Sequence, residues 1–423
     1  MRNVLKKVAC CLFLVLLIIL PKVSSAGEPV IGKNYDYKNI DEIKEWISEA
    51  RYNIIKDYQK WGVVNLIPQE AHKVPHHPGY DEATKKYAGN VKIVAEGGAL
   101  EGWVAGCPFP DPLKGTDDPW EIGMRLLWNF EHRDDGDTSR QWYEGGPCDR
   151  RGVSGRVVVN EYKKWYVGRY ARDPKPSMPK EKNPDNRYWA NAAFVVEPFE
   201  MRNTNMLTIR YEDPYKDDDM WLYIPALRRI RRFSSAQRMD CGAATPDWTW
   251  DDYNFFQGKL ANYKAKYIGR RWLLEGLVQS IEGKKPTDRI MNRATDHWFT
   301  DVKVEKVHTY EWEFYPKESV WPKHIYSKCV CRSDPDHWRI IDRDTYDAKG
   351  RLWKVGYYYF LTNPEPGQEG LLWACGEQVD VQRMHSSNGN AWATYDPHHR
   401  CRINNLDLPL SYFEASGLRK YGY

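Results

Sequence analysis

The chain has 423 residues, with 62 Lys and Arg against 58 Asp and Glu, a formal net charge of +4. Residues 1–26 account for all of that excess: they hold four basic residues and no acid, which leaves 58 of each sign in the remainder. A neutral body does not suggest nucleic-acid binding, which wants a basic domain, and a 42% hydrophobic content is ample for a large core.

Residues 1–26 read as a secretory signal. Arg2, Lys6 and Lys7 precede an apolar run over residues 8–20, and Ser24-Ser25-Ala26 supplies small residues for cleavage before Gly27. Thirteen apolar residues fall short of the roughly 20 that span a bilayer. Cys10 and Cys11 lie at the start of that run, which is the wrong place for lipid attachment. The expected product is an exported, soluble, periplasmic protein.

Residues 39–62 predict a helix, since Ile43, Ile47, Ala50, Ile54, Tyr58 and Trp61 recur in steps of three and four. Asn39 with Glu42 fits a capping box and Gly62 a stop. Residues 68–78 form a loop holding His72, His76 and His77, and a short helix covers 80–87. Residues 97–112 are broken up by Gly and Pro. Asp118-Pro119 opens a second amphipathic helix, with Asp as N-cap and Pro at the first position, running to about Glu131. The polar, Gly-rich stretch 133–155 reads as surface loop and 157–170 as strand. Four prolines make 173–184 a linker.

From residue 191 the chain reads as β. Strands are expected at 193–197, 206–211, 220–224, 263–274, 302–315, 324–330, 338–346, 352–361, 371–382 and 391–395. Asp347-Ala348-Lys349-Gly350 turns one hairpin. The organisation is a signal (1–26), a helical and loop segment packing on the sheet (27–190) and the sheet itself (191–423), one compact domain after cleavage. The fold class is mainly β (α+β), with a large antiparallel sheet that curls because a twisted sheet of this size does not stay flat.

Seven cysteines follow the signal: Cys107, Cys148, Cys241, Cys329, Cys331, Cys375 and Cys401. An odd number leaves at least one thiol unpaired in an oxidising compartment. Cys107 and Cys148 flank the second helix and are candidates for a disulfide, two separate buried thiols being the alternative. Cys329-x-Cys331 and His398-His399-x-Cys401 lack a standard zinc spacing, so neither metal nor cofactor is assigned. The nucleophile-elbow, metalloprotease, P-loop and dinucleotide motifs are absent, so no catalytic residue is named. The acid pairs Asp134-Asp135, Asp217 to Asp219 and Asp251-Asp252 leave open a hydrolase with two carboxylates across a groove.

Residues 221–257 carry the strongest pattern. A short strand leads through Pro225 into Arg228, Arg229, Arg231 and Arg232, and then into a Trp- and Asp-rich loop that folds back. Asp247, Asp251 and Asp252 are the expected partners of those arginines, because guanidinium suits bidentate carboxylate pairing. The arginines could instead bind an anionic headgroup or an acidic protein.

W-x-Y-x-P-x-x-R-R-x-R-R followed by Asp-Asp-Tyr-x-x-Phe resembles a bacterial periplasmic family of unknown function. Trp103 to Pro112 with Trp128 to Phe130, and Asp336 to Lys354, resemble it too, in the same order. Members are known as outer-membrane lipoprotein-sorting proteins, and their fold is similar to the LolA and LolB carriers. The resemblance implies an unclosed barrel whose concave side is plugged by the N-terminal helices, with an apolar groove between. Ile47, Ile54, Trp221, Tyr223 and Phe233 are the expected groove walls. The implied function is carriage of a lipid or other hydrophobic molecule. The alternatives are an adaptor in an envelope export complex, with a transporter or outer-membrane protein as partner, and the hydrolase.

Overall fold

The computed structural model describes residues 27–149, 152–153, 155–167, 182–233, 235–242, 245–280, 282–285, 292–293, 299–319, 324–362, 365–391, 401–404 and 408–421. The expected signal, most of the 173–184 linker and His398-His399 lie outside these residues.

A 16-stranded sheet dominates. Its strands are β1 (Leu66–Pro68), β2 (Thr138–Asp149), β3 (Val157–Trp165), β4 (Arg187–Glu197), β5 (Asn205–Tyr211), β6 (Asp219–Ile224) and β7 (Arg229–Phe233), then β8 (Tyr263–Glu275), β9 (Val302–Pro316), β10 (Tyr326–Ser333), β11 (Ile340–Asp347), β12 (Leu352–Leu361), β13 (Leu372–Asp380) and β14 (His385–Ala391). Gly152–Val153 and Arg402–Ile403 complete it. The order is β9-β10-β11-β12-β13-β14-β2-β3-β4-β5-β6-β7. β1 and β8 also pair with β9; β1 is parallel to it, and every other pairing in this sheet is antiparallel. β7 and β8 do not pair with each other among the described residues, so the sheet is not closed into a barrel.

The 133–155 stretch is not surface loop. It supplies β2, which joins β14 to β3 in the middle of the sheet. Its Gly145-Gly146-Pro147 run imitates a turn signal, yet the glycines serve close approach: a side chain at Gly146 would collide with the Gly155 carbonyl. The 27–190 segment therefore contributes two interior strands, β2 and β3.

Residues 39–62 do not form one helix. They form a 3₁₀ turn (Ile40–Trp46), then helix α1 (Glu49–Lys56) and helix α2 (Tyr58–Trp61). Ile47 is extended, at φ −133° and ψ 159°, and Ser48 opens a new helix. Serine favours a helix start over a helix interior. Asn39 spends its side chain on Asp36 N–H and Asn34 O instead of capping. Gly62 ends α2 at φ +77°, as its position predicts. Helices α3 (Pro78–Tyr87) and α4 (Pro119–Glu131) fall where expected, with Asp118 accepting from Trp120 N at 3.0 Å.

The two faces of the sheet carry separate cores. On β12, Tyr357 and Tyr359 point one way and Tyr358 and Phe360 the other. The first pair packs with Ile43, Ile47, Ile54 and Trp61. The second packs with Leu127 and Phe130 of α4 and with Trp248 and Phe255 from the Trp- and Asp-rich segment. The N-terminal helices are thus divided between the faces. A third cluster pairs Leu207, Ile209, Trp221 and Tyr223 with Phe413 and Leu418 near the C-terminus.

Candidate functional site

A cavity of about 330 Å³ lies under the segment that follows β7. Its floor alternates strictly along each strand: Gln141, Tyr143 and Gly145 on β2, Val157, Val159 and Glu161 on β3, Asn191, Ala193 and Val195 on β4, Met206 and Thr208 on β5. Leu222 of β6 and Phe233 of β7 continue the wall, and Tyr358 of β12 and Trp373 of β13 close the far side. Eight strand spacings separate β12 from β7. A flat sheet would place them roughly 38 Å apart, at about 4.8 Å per strand, so one cavity touching both requires the sheet to curl.

The cover is built from Cys241, Gly242, Thr245, Trp248, Trp250, Tyr253, Asn254 and Gln257. Its rings interlock: Trp250 stacks on Tyr253 with centroids 5.7 Å apart, and Trp248 meets Tyr253 and Tyr358 edge-on at 5.7 and 5.8 Å. Phe255 stacks on Tyr358 at 4.0 Å over Gly356, where an added Cβ would stand 2.5 Å from the Phe255 ring.

Buried ion pairs hold the cover down. Asp252 accepts from Arg343 at 2.7 Å, Tyr326 OH at 2.5 Å and Thr249 N at 2.9 Å. Burial pushes this carboxyl up, but Arg343 and Lys354 outweigh it and hold it well below the usual carboxylate range. Asp251 pairs with Arg238 at 2.5 Å and accepts from Tyr263 OH at 3.0 Å. Asp247 meets His385 and Ser387, both at 2.7 Å, and burial raises its pKa. Arg210 and Arg238 both donate to Gln257 O and share Asp218.

The arginine run plays no part in this anchoring. Arg229, Arg231 and Arg232 are exposed on the edge strand β7; Arg232 pairs with Asp219, and Arg228 turns the chain at φ +49°. The expected pairing with Asp247, Asp251 and Asp252 is replaced by Arg238, Arg343, Lys354 and His385. These come from a 3₁₀ turn and from strands distant in sequence, where no local pattern points to them. Other buried arginines and a backbone N–H, with Arg238 again, take up two of the acid pairs. Asp134 accepts from His77 N, Asp135 pairs with Arg133 and Arg339, and Asp218 with Arg210 and Arg238.

Of the five expected walls, Phe233 lines the cavity. Trp221 and Tyr223 point to the opposite face of β6, one residue out of step with Leu222. Ile47 and Ile54 are core residues beneath the other face. Cys107 and Cys148 have different neighbours, Asn129 and Asn388, and do not form the expected bridge. Cys329 and Cys331 are buried side by side in the α4 core, and burial pushes Cys329 up to about 11.

The cavity lining is predominantly apolar. Its charged residues among the described lining are Glu161 in the floor and Asp240 at the exposed end, both acidic. Glu161 accepts from Asn191 Nδ2 at 3.2 Å and Tyr143 OH at 3.4 Å, and burial raises its pKa. Two buried polar atoms of the lining have no hydrogen-bond partner: Asn191 Oδ1 and Trp248 Nε1.

An uncharacterised protein of Pseudomonas aeruginosa is 23% identical over 328 residues, covering 75% of this chain and 67% of its own length. Two solved structures are similar. One, a putative outer membrane lipoprotein-sorting protein domain from Vibrio parahaemolyticus, is 16% identical; the other, a DUF1329 family protein from Desulfovibrio piger, is 18% identical. Each alignment covers 71% of this chain and 99% of the other, with a TM-score of 0.49. The family model described as protein of unknown function (DUF1329) matches residues 35–419, nearly the whole chain. The chain belongs to the DUF1329 family.

Proposed function

We propose that this protein binds an apolar or amphipathic molecule in the cavity between β2–β7 and its cover, and carries it in the cell envelope. The observation that carries the reading is an apolar cavity kept open inside a curled sheet. Its size is at the lower end of the roughly 300–1,000 Å³ of small-molecule sites. Burial of apolar ligand surface contributes about 25 cal/mol per Å², so the lining supplies affinity without catalytic groups. The signal expected in residues 1–26 supports a periplasmic location, and no described helix is long and apolar enough to cross a membrane.

The test is titration with the neutral apolar fluorophore N-phenyl-1-naphthylamine. Wild type should enhance its emission saturably. Ala193→Phe, which fills the floor, should weaken binding by about tenfold or more, as lost burial of one aromatic-sized surface implies. Equal binding by both proteins places the probe elsewhere and rejects the cavity as the site.

A further inference from the structure

We infer that the natural ligand is an amphiphile whose polar end is a hydrogen-bond-donating cation, an alkylammonium, seated on Glu161 and Asn191 at the floor of the cavity. This rests on the carrier reading above and names the substrate class of the same site.

Three observations converge. The first is the sign of the lining: Glu161 and Asp240 are its charged members among the described residues, while the described lining contains no Lys, Arg or His. A carboxylate or phosphate head brought inside would meet like charge in a desolvated site, where Coulomb terms are large. The exposed arginines of β7 lie outside this lining.

The second is the pattern of acceptors. Asn191 Nδ2 is spent on Glu161 Oε1, which turns Asn191 Oδ1 away, and that oxygen is buried without a partner. The reverse orientation would set the amide oxygen against the carboxylate. Glu161 has Tyr143 as its other hydrogen-bond donor, at a long 3.4 Å. A buried acceptor without a partner, Asn191 Oδ1 beside a half-buried carboxylate, is costly until a donor arrives. An ammonium brings three donors and a compensating charge. The other orphan, Trp248 Nε1, belongs to the cover and calls for an acceptor further along the ligand.

The third is the aromatic enclosure. Tyr143 meets Trp373 edge-on at 5.3 Å, and Tyr253, Trp248 and Tyr358 form a connected set of rings in the same lining. Ring faces attract cations, and desolvation strengthens the attraction. Two hollows meet at Glu161; Lys163, Arg140, Arg339 and Arg402 line the smaller neighbour and not the cavity.

The experiment compares decylammonium, decanol and decanoate, which share one chain, by calorimetric titration of the full protein near neutral pH. Decylammonium should bind tightest, about tenfold or more above decanoate, the scale of one charge-assisted hydrogen bond. Glu161→Gln should reduce that ratio toward one, because the lost interaction is the charged one. Decanoate binding as tightly as decylammonium in wild type overturns the inference whether or not the variant folds. Decanol binding tightest overturns the cationic head but keeps the carrier. A panel in which nothing binds overturns the carrier reading itself.

Discussion

Single side chains decide what holds the cover. Arg343 and Asp252 are both 1% exposed at the side chain, and removing one partner of such a pair strands the other. Asp252→Asn should therefore cost about 3–5 kcal/mol in chemical denaturation, whereas Arg229→Ala with Arg231→Ala should leave the denaturation midpoint unchanged, since surface changes are nearly neutral. The opposite ranking would return the anchoring role to the arginine run. Here the sequence was half legible. Asp247, Asp251 and Asp252 are expected to pair with the arginine run, and they pair with other cations instead. Which cations was not legible: Arg343 and Lys354 lie in strands about a hundred residues away, and Arg238 is a lone arginine. The run of four is conspicuous, yet three guanidiniums on one short edge strand and a fourth in the turn before it are best solvated, and charge there also discourages edge-to-edge pairing.

Elements are marked in the chain by period, but their boundaries and faces are settled by neighbours. Alternation exposed most strands after residue 191. It could not assign parity in β6, where Trp221, Leu222 and Tyr223 are all apolar, so the groove-facing residue was misplaced by one. The 39–62 pattern hid a break at Ile47, and that break sets Arg51 of α1 against the sheet. Arg51 pairs with Glu275 at 3.2 Å, beside Arg332 with Asp342, Asp344 and Glu311. Four acids face two cations, and Glu275, Asp342 and Asp344 are shielded from water, which favours retention of a proton. Burial, followed by Asp342, pushes Glu275 from 4.5 up to about 8, and burial pushes Asp344 up to about 6.

The sign follows from linkage. Between 4.5 and about 8 the folded chain holds a proton on Glu275 that the unfolded chain has released, so stability falls as pH rises through that range. Asp344 acts the same way but only up to about 6. Burial lowers the pKa of His324 from 6.5, which acts in the opposite direction below that pH. Burial lowers Lys259 to about 8, which acts in the opposite direction toward that pH, so Glu275 is read best in the window from about pH 6.5 to 7. The melting temperature should decline across it in wild type and stay level in Glu275→Gln. An equal decline in both proteins would place the proton on another group.

At the scale of the whole molecule, the sheet is two blocks of consecutive strands, β9–β14 and β2–β7, joined where β14 pairs with β2, and twist curls a sheet of this size. The floor lies in the β2–β7 block and the wall residues Tyr358 and Trp373 in the β9–β14 block, so the cavity is complete only where β14 is docked on β2. The resemblance carried by the 221–257 pattern gave the family and the open, mostly β architecture. Composition and period could not show the cavity, because an aromatic-rich chain packs rings into a core or around a void with the same residues. Only the register places Val159, Ala193 and Leu222 on one inner surface beneath Trp248 and Trp250. The central claim is that this surface holds a ligand. Native mass spectrometry with organic extraction, on protein taken from its own host's envelope, tests it most directly. Wild type should carry one amphipathic molecule per chain, lost in Ala193→Phe. A chain of bare sequence mass, with an empty extract, would contradict it.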